Sequence, residues 1–200
     1  MNLPNKLTVA RFGLTVIFLW ALFWPTEILF RHTLALALFC LASITDYLDG
    51  RIARARKLIT NFGILMDPLA DKIMTCSAFI ALVESTRLRP DAPVKVAAWM
   101  VIVIVARELA ITGLRLLAAS KNVVLAAERH GKHKTISQMV AIIALLVVDA
   151  CREWPESLKN LFTPWTPAFA IIMLWIAVVL TVFSGVTYLW KNRELYLKDM

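Results

Sequence analysis

The chain has 200 residues, of which 60% are hydrophobic and 18% charged, with a mean hydropathy of +0.69. Ordinary soluble domains are about 45–50% apolar and about 25% charged. The composition therefore argues against a soluble domain and excludes a disordered chain, a collagen-like fibre and a disulfide scaffold. The 22 Lys and Arg residues outnumber the 14 Asp and Glu residues, which in an apolar chain is typical of cytoplasmic loops and of contacts with anionic lipid headgroups. A polytopic membrane protein is predicted.

Apolar segments follow one another along the whole chain. A helix that crosses the bilayer core needs about 20 residues, so most of these segments reach that length only by continuing through charged positions near their ends. We predict an all-α membrane protein with a single domain over 1–200. Its six transmembrane helices are expected at roughly 8–30, 32–55, 63–85, 93–119, 133–151 and 166–190.

The distribution of Lys and Arg predicts the orientation. With both termini on one side of the membrane, fourteen of these residues lie on that side and six on the other, while Lys72 and Arg107 lie inside spans. Positive residues favour the cytoplasmic side. We therefore expect a multi-pass protein of the cell inner (cytoplasmic) membrane, with both termini and a polar active site on the cytoplasmic side.

Four aspartates lie in the second and third predicted helices. Asp46 and Asp49 share one helical face, and Asp67 and Asp71 share another. Four carboxylates near a membrane repel one another unless cations lie between them, and hard divalent ions prefer oxygen ligands. The pattern predicts a Mg²⁺ or Mn²⁺ site. The competing interpretation, in which an intramembrane Asp merely pairs with Arg or Lys, is weaker for four residues at helical spacing than for one.

Small and basic residues accompany the aspartates. Gly50, Ala53 and Gly63 have almost no side chain, so a ligand or a neighbouring backbone can approach closely. Arg54 offers a fork of donors to a phosphate. These residues favour a phosphate-containing ligand beside the carboxylates.

The spacing of these residues resembles the signature of the CDP-alcohol phosphatidyltransferase family at every fixed position. The matching residues are Asp46-x2-Asp49-Gly50-x2-Ala53-Arg54-x8-Gly63-x3-Asp67-x3-Asp71. Further segments resemble the bacterial members that make phosphatidylglycerophosphate, at Asn5-Lys6-Leu7-Thr8-x2-Arg11, at Arg107-Glu108 with Arg115, and at Gly131-Lys132-x-Lys134-Thr135. The resemblance implies a six-helix homodimer that transfers the phosphatidyl group of CDP-diacylglycerol to sn-glycerol 3-phosphate, with release of CMP. No nucleic-acid partner is expected.

The resemblance also implies roles for the signature residues. Asp46 and Asp67 would bridge two Mg²⁺ or Mn²⁺ ions, Asp49 would complete the first, and Asp71 would bind the second and act as the catalytic base. The expected reaction is a direct in-line displacement on a two-metal site. The implied CDP-diacylglycerol site consists of Asn5, Thr8, Arg11, Gly50, Ala53, Arg54 and Thr60.

Four basic residues are predicted to bind the phosphate of glycerol 3-phosphate. Arg107 lies inside an apolar span, a position that is costly unless it faces a polar cavity, and Arg115 follows two turns later near the same face. Lys132 and Lys134 begin the next span at the same edge. In the alternative interpretation, Arg107 pairs with Glu108 or with an Asp, and the lysines only follow the positive-inside rule.

Two other functions stay open at this point. Another member of the same family would use a different acceptor, such as inositol phosphate, serine or phosphatidylglycerol. A divalent-cation transporter is a candidate from a different class. The absence of repeats argues against it, as does the position of the aspartates at one edge, since a transporter places its site near the midplane.

Overall fold

A computed structural model describes residues 3–23, 30–55, 61–121 and 129–197, with side chains over 5–23, 30–48, 66, 68–121 and 133–196. All regular structure in these residues is helical, as predicted. The helices are α1 (Leu3–Phe23), α2 (Arg31–Ala55), α3 (Asn61–Leu88), α4 (Ala98–Ser120), α5 (Arg129–Ala150), α6 (Glu156–Phe162), α7 (Thr166–Lys191) and α8 (Glu194–Leu197), with a 3₁₀ turn at Cys151–Glu153.

Six long helices overlap the six predicted segments, but four boundaries differ by four or more residues: the start and the end of the first helix, the start of the fourth and the start of the fifth. The fourth begins at Ala98 and not at residue 93, because the chain before it packs into the core: Val94 and Val96 are buried, and the Val96 N–H donates to Thr86 Oγ1 at 3.3 Å. The first helix ends at Phe23, and the remainder of the predicted first span falls mostly on 24–29, outside the described residues.

The long helices pack as a ring around one apolar core. Neighbours around the ring follow the order α1, α2, α5, α7, α4 and α3, and α3 also contacts α5 across the middle. Phe18, Phe39, Phe79, Leu82 and Ile142 are fully buried in this core. The polar side chains of Gln138 and Thr181, which are buried beside this core, are hydrogen-bonded to each other.

The outside of the bundle is apolar as well. By length and composition, three of the described helical segments could each cross a membrane: Asn5–Phe23, His133–Glu153 and Thr166–Lys191. The helices α2, α3 and α4 carry more charge, yet they also present apolar side chains outwards. Examples from these three helices are Leu34, Leu41, Ile44, Ile73, Ile80, Trp99, Ile102, Leu109 and Leu116.

A layer of ion pairs closes one end of the core. Arg89 Nη2 lies 2.5 Å from Asp149 Oδ2, and the Asp149 side chain is only 3% exposed. The Glu153 carboxylate accepts the backbone N–H groups of His32 at 2.8 Å and Thr33 at 2.9 Å. These contacts satisfy donors at the start of α2 and fix the beginning of α2 and the end of α3 to the end of α5.

We expect Arg89→Ala to lower the thermal stability of the detergent-solubilised protein strongly, because it leaves the Asp149 carboxylate buried without its cation. Such a loss costs about 3–5 kcal/mol. The control is Arg87→Ala: Arg87 pairs with Glu84, but its side chain is 71% exposed, so this change should leave the melting temperature unaltered. Equal losses of thermal stability in the two variants would contradict the structural role of the Arg89–Asp149 pair.

Candidate active site

Ionisable residues from several helices meet at the opposite end of the bundle. Neighbouring helices along the chain run antiparallel, which brings the first halves of α1, α3 and α5 beside the second halves of α2, α4 and α7. The described residues Asn5, Thr8, Arg11, Asp46, Asp71, Arg115 and Lys134 lie in these halves, whereas Arg107 is the tenth of the 23 residues of α4, just before its middle. The fold therefore brings these residues towards one end of the apolar core.

Arg11 and Asp46 form the described part of the donor side. Arg11 Nη1 lies 2.5 Å from Asp46 Oδ1, with the arginine side chain fully buried and the aspartate 31% exposed. Thr8, one turn before Arg11 on α1, is also fully buried. Arg11 was predicted only to lie near the cytidine diphosphate, and the structure adds that it holds one of the signature carboxylates.

Asp71 interacts electrostatically with charged residues of two groups. These are Asp46 and Arg11, which pair with each other, and Lys134 and Glu108, which are hydrogen-bonded to each other. Its Oδ1 atom is buried and accepts no hydrogen bond from the part of the chain that the structure describes. Buried carboxylate oxygens normally have a partner, so an unpartnered one fits a residue that ligates a cation.

Several predicted site residues fall outside the described side chains. Among the side chains that are described, no group of three or more His, Cys, Asp or Glu residues could hold a metal ion. Because two of the four signature aspartates are outside that set, the four-aspartate site stays a prediction. The predicted residues outside it are Asp49, Asp67, Gly50, Ala53, Arg54, Thr60 and Lys132.

Glu108 is the centre of the predicted acceptor side. It is 6% exposed, and its Oε1 atom accepts hydrogen bonds from Lys134 Nζ and from Arg107 Nη1, the latter at 3.3 Å. Arg107 Nη2 donates to Ser184 Oγ on α7 at 3.2 Å. The pairing of Arg107 with Glu108 that the sequence left open as an alternative is thus present, and Lys134 is buried beside them.

Arg115, two turns after Arg107 on α4, also contacts α7. Its Nε atom donates to Tyr188 Oη at 3.4 Å, and its guanidinium carbon lies 5.7 Å from the centre of the Tyr188 ring. Arg115 is exposed, whereas Tyr188 is 3% exposed. The two predicted acceptor arginines therefore both contact α7, which the sequence analysis did not connect with the site.

Lys72 is a further cation at this site that was not predicted to bind. Its Nζ atom donates to Thr112 Oγ1, and it interacts electrostatically with Glu108, Arg115 and Asp71. The signal that singles out Arg107, an ionisable residue inside an apolar span, also applies to Lys72. The described cations and carboxylates of this region (Lys72, Arg107, Arg115 and Lys134 with Asp71 and Glu108) leave a formal excess of two positive charges.

Comparison with known proteins shows the family of this chain. Residues 1–183 match the profile of the family described as CDP-alcohol phosphatidyltransferase. The chain belongs to this family. Three curated relatives carry the name CDP-diacylglycerol–glycerol-3-phosphate 3-phosphatidyltransferase. The Bacillus subtilis protein is 43% identical over 96% of each chain. The Rickettsia felis protein is 35% identical over 94% of this chain and 93% of its own, and the Haemophilus influenzae protein is 33% identical over 94% and 91%.

Family membership confirms the resemblance carried by the aspartate signature. It also places this chain among the CDP-alcohol phosphatidyltransferases and not among divalent-cation transporters. The relatives are similar over nearly their whole length, so the acceptor-side helices α4, α5 and α7 are included in the similarity.

Proposed function

We propose that this chain transfers the phosphatidyl group of CDP-diacylglycerol to sn-glycerol 3-phosphate, forming phosphatidylglycerophosphate and releasing CMP. The observation that carries the proposal is that Asp71 interacts electrostatically both with the Arg11–Asp46 pair and with the hydrogen-bonded Lys134 and Glu108. The reaction joins a diphosphate donor to a phosphorylated alcohol, so it needs a carboxylate that can reach both substrates. The names of the relatives support the same reaction.

The six long helices are proposed to span the inner membrane as one domain over 1–200, with both termini and the site on the cytoplasmic side. Their lengths of 21 to 28 residues correspond to about 32–42 Å, against about 30 Å for the bilayer core. Their outward faces are apolar, and the charge bias favours this orientation. A membrane homodimer is part of the proposal, as the family resemblance implies.

On the donor side, Asp46, Asp49, Asp67 and Asp71 are proposed to hold two divalent cations, Mg²⁺ or Mn²⁺. When bound, these would neutralise charge on the diphosphate. Asp71 would also accept the proton of the acceptor hydroxyl, because it is the described carboxylate that interacts with both Asp46 and Lys134. The residues proposed to hold the rest of CDP-diacylglycerol are Asn5, Thr8, Arg11, Gly50, Ala53, Arg54 and Thr60.

On the acceptor side, Arg107, Arg115, Lys132 and Lys134 are proposed to bind the phosphate of glycerol 3-phosphate, with Lys72 as an added member. The Glu108 carboxylate accepts hydrogen bonds from one nitrogen of Arg107 and from the ammonium group of Lys134. The Nε atom of Arg107 has no hydrogen-bond partner in the described part of the chain, so protein contacts do not use up its donors. The excess of two positive charges matches a phosphate dianion.

The purified protein should release CMP from CDP-diacylglycerol with glycerol 3-phosphate, and identification of the lipid product should give phosphatidylglycerophosphate. Inositol phosphate, serine and phosphatidylglycerol, offered in parallel, should give little product. Chelator should abolish turnover, with recovery on Mg²⁺ or Mn²⁺ and poor recovery on Ca²⁺, whose looser geometry misplaces the reacting oxygens. A different preferred acceptor would overturn the proposed reaction, and full turnover in chelator would overturn the metal site.

Asp71→Asn should lower kcat by about 10²–10⁴-fold, because the amide cannot take a proton from the acceptor hydroxyl. Binding of CDP-diacylglycerol should be much less affected. Asp91→Asn is the matched control, since Asp91 pairs with Arg152 at the opposite end of the bundle and its side chain is 62% exposed. Near-normal kcat in Asp71→Asn would remove Asp71 from the mechanism.

Arg107→Gln and Arg115→Gln should each raise the apparent KM for glycerol 3-phosphate by about tenfold or more, since a hydrogen bond to a charged group contributes about 1.5–3 kcal/mol. The KM for CDP-diacylglycerol should stay nearly unchanged. Arg193→Gln serves as the control, because Arg193 lies at the same end but stacks on Trp190, 5.0 Å from the ring centre. Equal weakening of both substrates would place the acceptor pocket elsewhere.

A further inference from the structure

One face of α7 carries polar and small residues in an otherwise apolar helix. Thr181, Ser184, Gly185 and Tyr188 follow the spacing i, i+3, i+4 and i+7, and all four are buried. Thr181 accepts a hydrogen bond from Gln138 of α5 at 3.0 Å. The other three residues of this face contact arginines of α4: Ser184 and Gly185 contact Arg107, and Tyr188 contacts Arg115.

Gly185 lies against the side chain of Arg107. A Cβ atom added at Gly185 would lie 2.8 Å from Arg107 Cγ and 3.7 Å from Nε, and a separation under 3.0 Å is not tolerated. The arginine side chain therefore crosses α7 at the one position where that helix has no side chain. Ser184, the preceding residue, accepts the hydrogen bond from Arg107 Nη2, so the stem and the head of Arg107 are both fixed by α7.

Tyr188 supports Arg115 in a different way. The tyrosine hydroxyl accepts a hydrogen bond from Arg115 Nε, and the guanidinium carbon lies over the ring, 5.7 Å from its centre. Tyr188 itself is anchored in an apolar cluster with Ile111 and Leu114 of α4. The exposed arginine thus rests on a buried and rigid aromatic side chain.

We propose that Ser184, Gly185 and Tyr188 are positioning residues that hold Arg107 and Arg115 in the geometry that binds the acceptor phosphate. This inference rests on the acceptor site proposed above. Free arginine side chains lose rotamer freedom when they bind a ligand, and holding both in place beforehand removes that cost from binding. The last long helix is therefore part of the acceptor pocket and sets the spacing of its two guanidinium groups.

The test compares kinetic constants for both substrates in α7 variants. Gly185→Ala and Ser184→Ala should raise the KM for glycerol 3-phosphate by about tenfold, and Tyr188→Phe by a smaller factor because the ring remains. The KM for CDP-diacylglycerol should stay within about twofold of wild type. The matched control is Gly113→Ala on α4, where an added Cβ meets nothing within 4 Å, and it should leave both constants unchanged.

A double-mutant cycle separates positioning from general damage. Arg107→Ala ends at Cβ, 3.9 Å from the Cβ position at Gly185, so the clash disappears in that background. Gly185→Ala and Ser184→Ala should then add no further rise in KM to that of Arg107→Ala. Additive effects in the cycle would overturn the proposal, since these residues would then not act through Arg107.

The outcomes also distinguish this inference from the proposed acceptor site. If Arg107→Ala leaves the KM for glycerol 3-phosphate unchanged, the acceptor site itself is wrong. If Arg107→Ala raises it but Gly185→Ala and Ser184→Ala do not, only the positioning role fails. Should Gly185→Ala not accumulate as folded protein, Ser184→Ala decides alone, because it removes the hydrogen-bond acceptor without adding volume.

Discussion

The buried carboxylate of Glu108 holds the charged end of the bundle together. It accepts hydrogen bonds from Lys134 of α5 and from Arg107 of its own helix. Arg107 in turn donates a hydrogen bond to Ser184 of α7. One turn further, Thr112 donates to the Glu108 carbonyl oxygen at 2.7 Å and accepts from Lys72 of α3. Removing one member of such a buried set leaves the others uncompensated, which is strongly destabilising. The relative positions of α4, α5 and α7 at this end therefore depend on one acid that has no place in the family signature, and the Lys72–Thr112 hydrogen bond attaches α3 to α4 beside it.

The two ends of the molecule use charge differently. At the end near Arg89, Arg89 pairs with Asp149 and Arg152 pairs with Asp91, and Glu153 satisfies the first backbone donors of α2. Such closed pairs have a structural role, because they leave no local charge to attract a ligand. At the other end, cations exceed carboxylates and Asp71 keeps a buried oxygen without a hydrogen bond among the described residues. An imbalance of this kind is expected where substrates complete the set of charges.

The sequence predicts the helices, because they follow from local periodicity. It predicts the end at which the site lies from the ionisable residues near the ends of most spans, with Arg107 further inside one. It does not predict the contacts between helices that are distant along the chain. The Arg11–Asp46 pair, the Lys72–Thr112 hydrogen bond and the passage of Arg107 over Gly185 each depend on how two helices rotate against one another. The start of α4 at Ala98 also depends on tertiary packing, since Val94 and Val96 are buried in the core before the helix begins. For Asp49, Asp67, Gly50, Ala53, Arg54, Thr60 and Lys132, the assignments remain predictions from the signature and its neighbouring motifs.

Partial neutralisation by Glu108 reconciles two opposing demands on the proposed acceptor pocket. Four cations close together at the end of an apolar bundle would repel one another and lose hydration, whereas a fully neutralised set would not attract a phosphate. One buried carboxylate lowers the repulsion while the pocket is empty, and the remaining positive charge is left for the acceptor. The same excess would also screen an incoming phosphate from the aspartates of the proposed donor side. Asp71 interacts electrostatically with residues of both groups. As the proposed base, it would therefore act on an acceptor hydroxyl whose phosphate is held by cations and whose target is held by the acidic side.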